Sequence, residues 1–212
     1  MAAAPIETAA DYADALLIAR KAKGYLCLLL LAVVLAQMTI FLVGRYSQLL
    51  VGAADTPTRG VLLLHYLVGV CGFVALVGVA VLLAVLLLIL AIMLIGRLVG
   101  VSQLTGAFIW CLVLAALLFP WQAFLADGGL ATAEFRIPGI LYTWGELLRD
   151  ARFGLDQPSQ WTVLLLKWAR YIGFPLVAVI LTLLVHIKSR RGLRQALGEA
   201  AASGLPQSQA LQ

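Results

Sequence analysis

VLLLHYLVGVCGFVALVGVAVLLAVLLLILAIMLI, residues 61–95, contains no Asp, Glu, Lys or Arg, and its only titratable side chains are those of His65, Tyr66 and Cys71. An apolar run of more than about 18 residues exceeds what a soluble core helix needs and matches the ~20 that cross a ~30 Å hydrocarbon layer. At membrane depth every backbone polar group must be paired within the segment, so the run is predicted to be helical. As one helix it would reach about 52 Å at ~1.5 Å per residue, well beyond the hydrocarbon layer. Two arrangements absorb the excess: one tilted helix projecting from the membrane, or two short spans folded at Gly78. Gly78 is a lone glycine with no polar neighbours to solvate a turn. A fifth span would also put one charged terminus on the far side, against the charge rule. One long helix is the reading, with His65 and Tyr66 at or above the outer interface, and tilt takes up part of the length.

Three further runs, Tyr25–Val43, Leu104–Leu125 and about Trp161–Ile187, share this character. The predicted fold class is therefore all-α: a polytopic α-helical membrane protein with four transmembrane helices and one or two interfacial amphipathic helices. The spans are placed at about 25–43, 61–95, 104–125 and 168–187, within a bundle of residues 24–187. Composition agrees, because charged residues make up 12% of the chain and hydrophobic ones 63%. Ordinary soluble domains carry roughly 25% charged residues, enough to cover a water-facing surface. The net charge of +5 is not a nucleic-acid signal, since its largest cluster, Lys188, Arg190, Arg191 and Arg194, directly follows the last span, where topology explains it.

Charge also sets the predicted orientation. With both termini inside, the cytoplasmic side holds Arg20, Lys21, Lys23, Arg97, Lys188, Arg190, Arg191 and Arg194. The outer side holds Arg45, Arg59, Arg136, Arg149, Arg152, Lys167 and Arg170, offset by Asp55, Asp127, Glu134, Glu146, Asp150 and Asp156. The inner cations crowd the span ends, while several outer ones sit in a long loop, so the cell inner (plasma) membrane with both termini cytoplasmic is expected. Trp121, Trp144, Trp161 and Trp168 then fall at the outer interface, where an indole can keep its ring in the apolar layer and its N–H near water.

Residues 1–23 read as a cytoplasmic amphipathic segment. Thr8 is placed as its N-cap, Asp11 and Asp14 in its early turns, and Arg20, Lys21 and Lys23 at its end, an order that suits the helix dipole. Tyr12, Leu16 and Ala19 share a face that the reading lays along the inner leaflet. Val34-Leu-Ala36 resembles a signal-peptide cleavage site, but apolar sequence continues to Val43, longer than a signal core. The outer loop 126–160 contains Thr143-Trp-Gly-Glu146, a capping-box spacing. Ile140, Trp144, Leu147, Leu148 and Ala151 share one helical face, which predicts a second interfacial helix. The tail 188–212 reads as basic and then flexible.

Candidate chemistry is sparse. Cys27, Cys71 and Cys111 fall one in each of the first three runs, without the short Cys/His spacing of a zinc site or the loop placement of disulfides, and are expected to be small packing residues. His65 and His186 belong to opposite ends of the bundle, so they cannot share one haem iron. The span interiors offer only Gln37, Thr39, Thr105, Thr182 and the cysteines as polar groups, which argues against a proton relay. No Ser/His/Asp set, zinc-protease motif or phosphate-binding glycine loop is found. Lys167 and Arg170, three apart, are the candidate contacts for a lipid headgroup or a partner, reaching the outer headgroups by snorkelling. Gly173 and Pro175 are placed to bend the helix that follows them. Gly69, Gly72, Ala75 and Gly78 recur every three residues and form the candidate helix-packing face.

The expectation is a non-enzymatic protein without cofactor or metal, acting as a scaffold, assembly factor or accessory subunit. Its expected partners are the lipid bilayer and a membrane protein or a second copy, with no nucleic acid. The alternative is an oligomeric transporter or channel for a neutral solute, lined around Gln37, Thr105 and Thr182. A lipid-directed enzyme comes third and would need Asp127, Glu134 or Glu146 to converge on His65.

Overall fold

The computed structural model describes residues 4–46, 59–119, 140–151 and 161–198, and their regular structure is entirely helical. In chain order the helices are α1 (Ala4–Tyr46), α2 (Arg59–Ile95), α3 (Val101–Leu118), α4 (Trp144–Ala151), α5 (Trp161–Trp168) and α6 (Phe174–Ala196). A π-helical turn, Ala169–Gly173, joins the last two. Four stretches are long and apolar enough to cross a membrane: Asp14–Tyr46, Arg59–Ile95, Val101–Leu118 and Trp161–Ala196. The protein is an all-α polytopic bundle. The expected end of the third span at 120–125, the loop segments holding Asp127 and Glu134, and the tail beyond 198 lie outside the described residues.

The four long elements close a ring in which α1 packs on α2 and α6, and α3 packs on α2 and α6. The seam residues recur with a seven-residue period. In α1 they are Leu16, Lys23, Leu30 and Gln37, flanked by Cys27, Val34 and Phe41; in α2 they are Val68, Ala75, Leu82 and Ile89, flanked by Val79, Leu86 and Met93. In α3 Leu104, Ala107, Cys111, Leu114 and Leu118 alternate by three and four, and all are fully buried. Such spacing keeps one stripe of each helix facing its neighbours along its length. Most of the seam is apolar, but Lys23, Gln37, Thr182 and Ser189 occupy it as well.

Two elements differ from the sequence reading. First, α1 is continuous from Ala4, so Thr8 lies inside the helix and the N-terminal segment runs straight into the first span. Pro5 sits in the first turn, where its missing N–H leaves no bond unmade, and between Ile6 and Val43 the one potential breaker is Gly24. A single helical glycine costs only about 1 kcal/mol. Leu16, Ala19 and Lys23 are buried in the bundle. Second, the small-residue stripe of α2 does not form one face. A step of three residues falls about 60° short of a full turn at 3.6 residues per turn, so Gly69 and Gly78 point to opposite sides. Ala75 is fully buried, and a β-carbon on Gly78 would meet the Leu30 side chain at 3.2 Å, whereas Gly69 and Gly72 have nothing within 4 Å. Gly78 is thus a packing residue within the continuous helix Arg59–Ile95.

The closest backbone approach lies elsewhere. A β-carbon on Gly100, whose φ is +98°, would come within 2.6 Å of the Gly192 carbonyl oxygen. Glycine is required there both for the left-handed backbone and for the contact between the start of α3 and the end of α6.

Candidate functional site

Pro175 decides the local shape of the fourth span. It has no N–H to offer the Tyr171 carbonyl, and the helix widens ahead of it: the Phe174 N–H bonds back to the Ala169 carbonyl, five residues earlier. This π turn, of the kind that often marks functional positions, buries both Arg170 and Tyr171.

Opposite them lies α4, started by the capping box. The Thr143 N–H donates to Glu146 Oε2 at 3.0 Å, and the Glu146 N–H points to Thr143 Oγ1 at 3.4 Å. The same Glu146 Oε2 faces the Arg170 guanidinium at 3.2 Å, with both side chains largely buried. One turn further along α4, Asp150 Oδ1 accepts from Lys167 Nζ at 2.8 Å, and its Oδ2 accepts from the Tyr171 hydroxyl at 2.9 Å. Carboxylates four apart on α4 thus meet cations three apart on the fourth span, in antiparallel order. Lys167 and Arg170, assigned from sequence to headgroups or a partner, have carboxylate partners on this chain. Nothing in their own helix could reveal this, because the counter-ions come from a segment about 20 residues away.

Aromatic rings complete the cluster. Tyr171 stacks on Phe41 with ring centres 4.3 Å apart and meets Tyr142 edge-on at 5.4 Å. Arg45 lies over the Trp168 ring at 5.2 Å. The Tyr142 hydroxyl donates to the Gln37 backbone carbonyl at 2.7 Å. Burial pushes the Tyr142 phenol well above its ordinary pKa, so it stays a neutral donor at physiological pH. Both polar atoms of the Gln37 side chain are buried without a hydrogen-bond partner.

Beside this cluster a groove of about 510 Å³ runs between α2 and residues 141–144, lined by His65, Gly69, Gly72, Tyr142 and Trp144 among others. His65 packs edge-on to Trp144 at 5.4 Å. The structure therefore places Gly69 and Gly72 at this groove, and Ala75 and Gly78 in the contact with α1. His186 lies at the other end of the bundle, beside Lys23 and Arg190. The Thr105 and Thr182 hydroxyls donate to the Val101 and Ala178 carbonyls of their own helices.

Chemically, the cluster is a clamp. Glu146 Oε2 holds two donors and each Asp150 oxygen holds one. These three oxygens join α4 to the fourth span. No protein-family model, curated protein or solved structure matches this chain.

Proposed function

We propose that this multi-pass protein has a non-catalytic role as a scaffold, assembly factor or accessory subunit of a membrane complex. The observation that supports the reading is one continuous apolar core shared by the four long helices, in which Leu30, Leu82, Leu86, Ile89, Leu104 and Leu114 are fully buried. A core packed in this way favours helix contact over a hydrated path through one copy. Crosslinking in intact membranes, followed by purification in a mild detergent, tests the reading. A discrete complex larger than one chain is expected. A strictly monomeric species across several detergent strengths, without a crosslinked neighbour, would falsify it.

The second reading, an oligomeric transporter or channel for a neutral solute, is favoured by one feature, the unpartnered Gln37 amide inside the bundle. It predicts that Gln37→Leu abolishes solute flux in proteoliposomes, where the scaffold reading predicts no flux at all.

The orientation belongs to the proposal too. Arg20, Lys21 and Lys23 of α1, Arg97 of the α2–α3 turn and the basic end of α6 collect at one end, near both ends of the described chain. By the positive-inside rule that end is cytoplasmic, in the inner (plasma) membrane. Gly145 and Gln195 are exposed at opposite ends, so Gly145→Cys should label from outside the cell and Gln195→Cys only after permeabilisation. Labelling of both from the same side would overturn the assignment.

A further inference from the structure

At the end of the bundle remote from α4, the seam between α1 and α6 opens to the surface as a groove of about 190 Å³. The buried Cys27 and Thr182 form its floor, and the exposed Leu28 and Leu183 rise on either side. Gly24 and His186 stand at the end nearer the termini. Just beyond them the two helices are tied by a bond from Lys23 Nζ to Ser189 Oγ at 2.8 Å. Lys23 is only 1% exposed, and among the described residues Ser189 is its hydrogen-bond partner. An ammonium carries three donors, and this one lies among other cations: Arg20 and Arg190 act on it through space, and His186 faces both Lys23 and Arg190. A buried charge without a counter-ion is costly, and its field is least screened where water is excluded. The groove is therefore apolar along its length and electropositive at its end. Its axis follows the helices, and Gly24 to Leu31 spans about 10 Å of it.

We propose that this groove binds an anionic phospholipid, with the phosphate at the Arg20, Lys23, His186 and Arg190 end and an acyl chain along Leu28, Leu31 and Leu183. Arg190 and the half-buried His186 contact the headgroup, and Lys23 acts on it through space. The site lies where span ends meet headgroups, and its charge selects against zwitterionic lipid. It stands independently of the scaffold reading, because lipid retention and complex formation are read out separately.

The test uses the full chain purified in a zwitterionic detergent and offered phosphatidylglycerol and phosphatidylcholine with identical acyl chains, with retained lipid counted by native mass spectrometry. Phosphatidylglycerol should be retained preferentially. Arg190→Gln should weaken its retention about fivefold, corresponding to about 1 kcal/mol for one cation at an anionic headgroup. Gly24→Leu adds bulk at a glycine whose β-carbon would meet nothing within 4 Å, so it should fill the groove with the fold intact and reduce retention at least as much. Gly69→Leu, equally free of contacts at the other end, should leave retention unchanged. Equal retention of the two lipids, or equal effects of the two glycine variants, would overturn the proposal. Inorganic phosphate displacing the lipid at millimolar concentration would assign the site to a soluble anion and overturn it as well.

Discussion

The two ends of the bundle hold buried charge in different ways. At the α4 end, Glu146 and Asp150 bring carboxylates to Arg170 and Lys167, and each ion pair also joins two elements of the chain. At the other end Asp14 is the one acid whose side chain is described, and Lys23 lies buried on a hydroxyl amid further cations. Both ends insert a polar residue of α1 into the seam, Lys23 at one and Gln37 at the other, two heptads apart. Among the described residues of the first end, Lys167 and Arg170 each meet a carboxylate of the same chain. At the second, Lys23 has a hydroxyl as its partner, and the proposed anionic lipid would supply the missing negative charge. On the proposed orientation, such a bundle would lock its shape at one end and take its direction of insertion from the cations of the other.

The largest predicted effect breaks the clamp. Asp150→Ala leaves Lys167 without the carboxylate at 2.8 Å and the Tyr171 hydroxyl without its acceptor. Removing one partner of a buried pair costs about 3–5 kcal/mol, and since Lys167 retains some exposure the lower figure, about 3 kcal/mol, applies. Loss of the native intrinsic-fluorescence transition on heating in detergent measures it. Exchanging the pair, Asp150→Lys with Lys167→Asp, should recover part of the loss. A variant as stable as the parent would show that the pair is a surface contact with little energetic weight.

The same clamp marks where the sequence stops being informative. The four spans, the capping box at Thr143 and Glu146 and the distortion around Gly173 and Pro175 are legible because each depends on residues a few positions apart. The ion pairs are not, because Lys167 and Asp150 are brought together only by the tertiary fold. The heptad seam is hidden for a different reason. In water the exposed face of a helix is polar and its period stands out, but here Leu28 and Leu87 face outward while Leu30 and Leu86 are buried. Hydropathy scarcely distinguishes core from lipid face in such a helix. The stripe from Gly69 to Gly78 suggests one packing surface by spacing alone, yet the helical repeat divides it between a groove and a contact. The one backbone contact that demands glycine, Gly100 against Gly192, joins positions 92 residues apart.

A smaller effect is expected at Tyr142. Its hydroxyl donates to the Gln37 carbonyl, and Tyr142→Phe removes that donor for about 1 kcal/mol, a typical net hydrogen-bond contribution. The raised pKa adds a pH signature. An unfolded tyrosine titrates near pH 10, while the buried Tyr142 phenol holds its proton to higher pH. The native state then binds more protons than the unfolded state above about pH 10, so stability falls there with rising pH. Tyr142→Phe should flatten that alkaline decline while leaving stability between pH 6 and 9 uniformly lower. An unchanged alkaline slope would show that this phenol is not shielded from solvent.

The smallest effect on stability belongs to the other end, where the comparison is most easily broken. Arg190 and Arg191 are exposed on the last turns of α6. Replacing both with Gln in a zwitterionic detergent removes no ion pair that the structure shows and lowers like-charge repulsion on Lys23. Surface changes of this kind normally stay within about 0.5 kcal/mol. The same pair of substitutions should act strongly on insertion, because cations within about 15–20 residues of a span end set orientation. Labelling of Gly145→Cys from outside the cell should then become mixed, with a fraction of chains inverted. Stability and orientation would thereby separate, one governed by the clamp and the other by the cations. If the double substitution instead destabilised the detergent-solubilised protein by as much as Asp150→Ala, the basic end would be a structural element like its opposite, and the contrast between the two ends would fail.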